Sequence, residues 1–189
     1  MRKFEIVEKY KDKLDESFIP QRSTNKSAGY DLRSAEDVVV QPIWAYHDII
    51  EQVLNRPLQI EDFDIAITLE EVEENLKFFG IQPTLISTGL KCHMEDDEFL
   101  GIYSRSSGSY KYLLMLPNSV GIVDADYVNN KGNEGEIFVQ LINVSPFPIH
   151  IRKGDKIAQG IFQKYATVDS DFDIDKEVRK GGFGSTDIK

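Results

Sequence analysis

Five stretches of the chain carry residue types that ordinary strands and turns do not require. They are Ser27-Ala-Gly-Tyr-Asp-Leu32, Ser104-Arg-Ser-Ser-Gly108, the run from Asn118 to Tyr127, the run from Arg152 to Gln159, and Lys180-Gly-Gly-Phe-Gly-Ser-Thr186. In the second, Arg105 stands among Ser104, Ser106 and Ser107. A guanidinium fork makes paired bonds to phosphate oxygens, and hydroxyls and backbone N–H groups add neutral donors. A solvated loop with a surface arginine would look the same in isolation. In the third, Asn118 to Gly121 precedes the apolar pair Ile122-Val123, and Asp124 follows. A carboxylate on a partly buried hairpin within reach of water is a candidate general base. An Asp closing an Asx-turn is the plainer alternative. Tyr127 could wall a pocket or simply pack in the core, and Gln159, ending an alternating strand, could donate its amide to a phosphate oxygen. Phe183, flanked by Gly182 and Gly184, cannot anchor a core. It suits a flexible arm that stacks on a flat ligand and brings donors from Arg179, Lys180, Ser185 and Thr186; a plain mobile tail is the alternative.

The elements that must hold these residues are mostly short strands. Val38–Val40, Leu85–Thr88, Lys91–Met94, Phe99–Tyr103, Ile137–Asn143 and Ile149–Arg152 are β-branched or alternating runs. Turn clusters such as Glu95-Asp-Asp97, Asn129-Asn-Lys-Gly132 and Lys153-Gly-Asp155 separate them. Ile137, Val139 and Leu141 should share one face of a sheet, with Glu136, Phe138 and Gln140 on the other. Ser145-Pro-Phe-Pro148 cannot donate through its prolines and belongs at an edge or crossover. This pattern predicts a sandwich or barrel.

Residues 43–82 break the rhythm. Tyr46, Ile49, Ile50 and Val53 recur at helical spacing, with Pro57 as a stop. A second helix is announced by Thr68 and Glu71 in a capping-box pattern, followed by Leu69, Val72, Leu76 and Phe79 on one face and Gly80 at the end. The segment holds nine acids against two bases, −7 of the chain's net −10, so the remainder is nearly neutral. We therefore expect a single domain over 1–189, a helical hairpin inserted at 43–82, and a mobile C-terminal arm at 175–189.

A net charge of −10 argues against a nucleic-acid partner but leaves a nucleotide substrate open, since a few local cations and a metal ion can hold a triphosphate. No apolar run approaches the length of a membrane span, and Met1-Arg-Lys-Phe-Glu5 lacks the apolar stretch of a secretion signal. The single cysteine, Cys92, excludes an internal disulfide and suits a reducing compartment: the cytoplasm, or a host's cytoplasm for a phage-encoded chain. Its strand-like surroundings make it a small core residue rather than a nucleophile.

Taken together and in this order, the five stretches resemble the five motifs of the trimeric dUTPase family, over about residues 24–42 and 84–187. The resemblance implies a mainly β, jelly-roll-like barrel assembled as a homotrimer with shared active sites, which splits dUTP into dUMP and pyrophosphate with Mg²⁺. On that pattern Asp31 holds Mg²⁺ through its waters, and Arg105, Ser106 and Ser107 bind phosphate. Asn118 and Gly121 belong to the uracil-reading hairpin, Asp124 is the catalytic base, and Tyr127 stacks on deoxyribose. Gln159 binds phosphate, and Phe183, Ser185 and Thr186 form the closing arm.

Some positions depart from the pattern. Ser104 replaces a usual proline, and Ser107 stands where many members have glycine. Val178 occupies the place where the arm commonly carries an arginine, so Arg179 or Lys180 must reach the γ-phosphate. The nearest alternative, a dCTP deaminase, needs a glutamate three residues before the asparagine of the following strand, and that position is Gln140, which cannot act as a base. A regulatory binding protein on the same barrel is a second alternative. It would use the acidic insert as a surface for a protein partner, through Trp44, Tyr46 or Phe78. The plainer view has the helices cover the barrel or extend the subunit contact.

Overall fold

A computed structural model describes residues 1–57, 59, 68–79 and 82–170. The side chains of Ile49, Val53 and Phe79, together with Gly80 and the whole predicted arm with Arg179, Lys180, Phe183, Ser185 and Thr186, lie outside the described residues. The strands are β1 (Lys3–Ile6), β2 (Tyr30–Arg33), β3 (Val38–Val40), β4 (Thr84–Ser87), β5 (Leu90–His93), β6 (Glu98–Tyr103), β7 (Leu114–Met115), β8 (Gly121–Asp124), β9 (Phe138–Asn143), β10 (Ile149–Ile151) and β11 (Lys156–Lys164). The helices are α1 (Ala45–Leu54), α2 (Leu69–Phe79) and α3 (Ser106–Tyr112). The protein is mainly β, as its alternating runs predict, and every strand pair described is antiparallel. No helix among the described residues is long and apolar enough to cross a membrane.

Among the described residues four sheets form, ordered β2-β11-β6-β8, β4-β9-β7, β1-β5 and β10-β3. Their inward faces meet in one apolar cluster around Leu32, Ile86, Leu90, Leu100, Ile137 and Val139, all buried. The β9 alternation holds, with Val139 and Leu141 buried and Phe138 and Gln140 half-buried. Glu136, just before the strand, is buried as well, and its carboxylate accepts a hydrogen bond from the Ser87 hydroxyl. Cys92 lies in β5 opposite Phe4, and burial, with Glu98 adding, pushes its thiol up to about 12. A second, smaller cluster of Val7, Tyr10, Leu14 and Ala35 was not visible as a pattern, because two short 3₁₀ turns rather than a regular element gather it.

Two boundaries differ from the sequence reading for local reasons. Gln159 does not end its strand: β11 continues to Lys164, with Gly160 paired to Ile102 and the Leu100 side chain close over its bare Cα. The first helix stops at Leu54, ahead of Pro57, because Asn55 takes the left-handed conformation (φ 52°) and its N–H reaches back to the Glu51 and Gln52 carbonyls. The second helix starts as predicted. The Thr68 N–H donates to Glu71 Oε2 at 2.7 Å, and the Glu71 N–H returns to Thr68 Oγ1 at 3.2 Å.

The helical pair is hung on one buried amide. Asn143 Nδ2 donates to the carbonyls of Val40 (3.0 Å) and Phe147 (2.7 Å), and Asn143 Oδ1 accepts from the Ser145 N–H at 2.9 Å. Its own carbonyl takes the Ile43 N–H at 2.8 Å, where the chain leaves the sheet. At the far end Tyr46 donates to the Gln82 carbonyl at 3.0 Å, drawing the exit beside the entry.

The β1–β5 edge carries an ionic cluster in which Glu5 meets Lys3 at 2.9 Å, His93 at 3.2 Å and the buried Lys91 at 3.7 Å. Chiefly through the Lys3 hydrogen bond, against the opposing effect of desolvation, its carboxyl falls from 4.5 to about 2. A folded-state value below the unfolded one contributes stability that is present above pH 4.5 and lost as pH falls toward 2. Glu5→Gln should therefore lose less of its thermal midpoint than wild type on titration from pH 4.5 to 2. Parallel acid limbs in calorimetry would overturn this.

Candidate functional site

The register of three neighbouring strands gathers the first group of predicted residues. Gln159 on β11 pairs with Asp31 on β2 and with Tyr103 on β6, so the three side chains emerge from one face of the sheet. Two residues beyond Tyr103, Arg105 caps the start of α3, which opens with Ser106 and Ser107. Arg105 Nε donates to Asp31 Oδ1 at 2.9 Å, while Asp31 Oδ2 accepts from Lys156 Nζ at 2.6 Å and from the Ser23 hydroxyl at 3.2 Å. Arg105 Nη1 also reaches Ser107 Oγ at 3.2 Å and the Lys156 carbonyl at 3.3 Å. Burial works to raise the Asp31 carboxyl, but the Lys156 hydrogen bond and the Arg105 charge outweigh it and hold the group below its ordinary value.

Gln159 is fixed from both sides. Its Nε2 donates to the Ser104 carbonyl at 3.1 Å, and its amide lies so close over Gly29 that a Cβ there would run into it. This close approach explains the glycine in Ala-Gly-Tyr-Asp. Two open clefts flank the cluster. One of about 510 Å³ is lined by Arg33, Arg105, Ser107, Tyr112, His150 and Lys156, and one of about 340 Å³ includes Ser23, Asp31 and Lys156.

A second group lies across the sheet. Asn118, Gly121 and Tyr127 line a cleft of about 230 Å³ with Ile102, Phe138 and Gln140. Ser119 sits at φ 60° and the Val120 N–H closes on the Asn118 carbonyl, so the turn before β8 is tight and exposes Asn118. Tyr127 is buried, with its hydroxyl donating to the Glu136 carbonyl at 3.1 Å and accepting from Asn133 Nδ2 at 2.7 Å. The loop that supplies these partners turns through Asn129, Glu134 and Gly135, all at positive φ, and Gly135 has backbone too near to admit a Cβ. Buried Lys91 ties it down through Asn129 Oδ1 (2.9 Å) and Glu134 Oε1 (2.6 Å). Half-buried Asp124 ends β8 opposite Phe99, and its side chain makes no capping hydrogen bond to the 3₁₀ turn that follows, unlike an Asx-turn aspartate.

A dUTPase family model matches residues 70–187. The deoxyuridine 5'-triphosphate nucleotidohydrolase of Lactococcus lactis subsp. lactis is 38% identical over 186 residues, spanning 98% of this chain and 97% of that protein. The chain belongs to the dUTPase family. The crystal structure of the Streptococcus mutans dUTPase superposes with a TM-score of 0.64 at 29% identity, covering 88% of this chain and 98% of that one. A dUTPase from phage phi11 of S. aureus, solved as a variant that details coordination of a structural Mg(II) ion, gives a TM-score of 0.56 at 17% identity, over 89% and 94% of the two chains. At that identity the likeness is one of fold.

On this dUTPase fold the predicted residues fall into two sets within one chain. Asp31, Arg105, Ser107 and Gln159 converge, with exposed Ser106 beside them; Asn118, Gly121 and Tyr127 share the other cleft, with Asp124 at the far end of β8. Along β6, Tyr103 and Phe99 are four residues apart, about 13 Å, and β2 and β8 stand three strands apart, about 14 Å. Lys156 is the residue that sequence reasoning passed over. It lies within a quoted stretch, but nothing in Lys-Ile-Ala-Gln shows that it faces Asp31.

Tyr127→Phe should keep the ring and leave the buried Glu136 carbonyl and Asn133 amide without their shared partner, costing about 1–2 kcal/mol. Urea unfolding reads this directly, and an unchanged midpoint would show that the hydroxyl does not hold the loop.

Proposed function

We propose that this dUTPase-family chain hydrolyses dUTP to dUMP and pyrophosphate, with Mg²⁺, in a homotrimer whose active sites are shared between subunits. The observation that carries the reading is the register of Asp31, Gln159 and Tyr103, which sets a carboxylate, an amide and the Arg105 guanidinium at one end of a sheet. That donor set suits a polyphosphate. The nucleoside would lie in the Asn118–Tyr127 cleft, its uracil edge read by the hairpin backbone and Asn118, with too little room for a 5-methyl group. A Tyr127 ring whose hydroxyl is fixed twice cannot swing aside for a ribose 2'-hydroxyl.

A divalent metal fits these residues in one way. Asp31 offers hard oxygens, but among the described residues the sole cluster of three metal-ligating side chains is His47, Asp48 and Glu51 in α1, which does not include it. Asp31 would thus hold Mg²⁺ through water, not as one of several direct ligands. When bound, the metal neutralises phosphate charge. Asp124 orients a water and takes its proton as the oxygen bonds to the α-phosphorus. The bond from that phosphorus to the bridging oxygen breaks, and the departing pyrophosphate is met by Arg105, Ser106, Ser107 and Gln159. The arm, with Phe183, Ser185, Thr186 and either Arg179 or Lys180, would close over the nucleotide and exclude water.

Roughly 13 Å along the sheet and 14 Å across it is more than one triphosphate bridges, so Asp124 of one chain would serve phosphates held by another. Pyrophosphate release should be rapid with dUTP and slight with dCTP, dTTP or UTP; release without base preference would remove the nucleoside reading. Asp124→Asn and Arg105→Ala should each bind dUMP yet lose most turnover, on the order of a hundredfold or more. Mixing the two unfolded variants and refolding them together should restore part of the activity, because some sites then combine an intact Asp124 with an intact Arg105. Sites built within one chain would stay inactive.

A further inference from the structure

Lys156 is not among the residues that the motif pattern assigns to the reaction, yet the backbone is bent to deliver it. On β2 the step from Arg33 to Leu32 is one residue, while their partners on β11 are Lys156 and Ala158, so Ile157 is an extra residue in a β-bulge. In a regular strand, positions 156 and 159 point to opposite faces. The inserted residue cancels that, placing Lys156 opposite Arg33 and Gln159 opposite Asp31 on the same face. Ile157 and Ala158 are both buried, as two successive residues at a bulge can be. The delivered ammonium lies 2.6 Å from Asp31 Oδ2, while Arg105 takes Oδ1 at 2.9 Å. The neighbouring cation does not substitute for it, because Arg33 Nη1 is engaged by the Gly154 carbonyl at 2.7 Å.

We infer that Lys156 is a positioning residue for the triphosphate: it shares Asp31 with Arg105, so that the guanidinium can turn to phosphate while Asp31 keeps a counter-ion. The inference rests on the reading of this cluster as the phosphate end of the site. One carboxylate between two cations leaves the group net positive, and removing Lys156 leaves a closed Asp31–Arg105 pair with no surplus charge. An arginine committed to a carboxylate competes poorly for a second anion.

The test is binding, not turnover. In EDTA, the affinity of Lys156→Met for a non-hydrolysable α,β-imido analogue of dUTP should fall about ten- to a hundredfold, the scale of a lost charged hydrogen bond. Its affinity for dUMP should change by less than about threefold, and Lys156→Arg should recover most of the triphosphate affinity. The Lys156 side chain is 34% exposed, so the thermal midpoint of the methionine variant should stay near wild type. Unchanged analogue affinity would overturn the inference. So would an equal loss for dUMP and the analogue, since that marks a general structural role. If wild type binds dUMP and the analogue but releases no pyrophosphate from dUTP, the proposed activity fails while the Lys156 assignment stands.

Discussion

The antiparallel register of β2, β11 and β6 is the constraint on which the candidate site depends. Side chains in a strand alternate between faces, so a slip of one residue between β2 and β11 would turn Asp31 toward the apolar interior and Leu32 toward solvent. Leu32 is fully buried and Asp31 is held by two cations, so the register is enforced from both faces of one strand. Core packing therefore positions the polar cluster, and no separate device is needed to aim the carboxylate. Gln159 adds a cross-brace: its amide bonds the Ser104 carbonyl and lies on Gly29, linking the loops on either side of β11.

What could be read from the sequence followed from periodicity and from residue type. The runs at 38–40, 99–103 and 137–143 announce strands because they are β-branched or alternating, and the observed edges fall within a residue. Thr68 and Glu71 mark a helix start because their side chains close the same backbone donors that any helix leaves open. Arg105, Gln159 and Asp31 stand out by chemistry. Their proximity does not, since three strands far apart in sequence must first pair. Lys156 was hidden for a related reason. A bulge is a mismatch between two strands, and neither strand's sequence carries it alone. The 3₁₀ turns that gather Val7, Tyr10 and Leu14 have no period long enough to register.

The cleft lined by Asn118 and Tyr127 depends on a different kind of support. Tyr127 is held by a loop with three residues at positive φ, an arrangement that backbone sterics disfavour unless other bonds impose it. Asn130 supplies several of them, donating to the Tyr127 carbonyl at 2.9 Å and accepting from the Gly132 N–H at 2.9 Å and the Asn133 N–H at 3.1 Å. The buried Lys91 closes the loop onto β5, so one wall of the cleft is stiffened from the β1–β5 sheet, not from the sheet that carries Asp124. A change at that distant edge can reach the aromatic wall without touching any residue that lines it.

Cys92 gives the fold a built-in reporter. It is the chain's one sulfhydryl, enclosed between Phe4 and the core, and its proton is held so tightly that almost no thiolate exists at neutral pH. Only the thiolate attacks disulfide reagents and maleimides, so the native protein should resist labelling until the β1–β5 edge parts. The rate of labelling then measures how often that edge opens, with no substitution introduced.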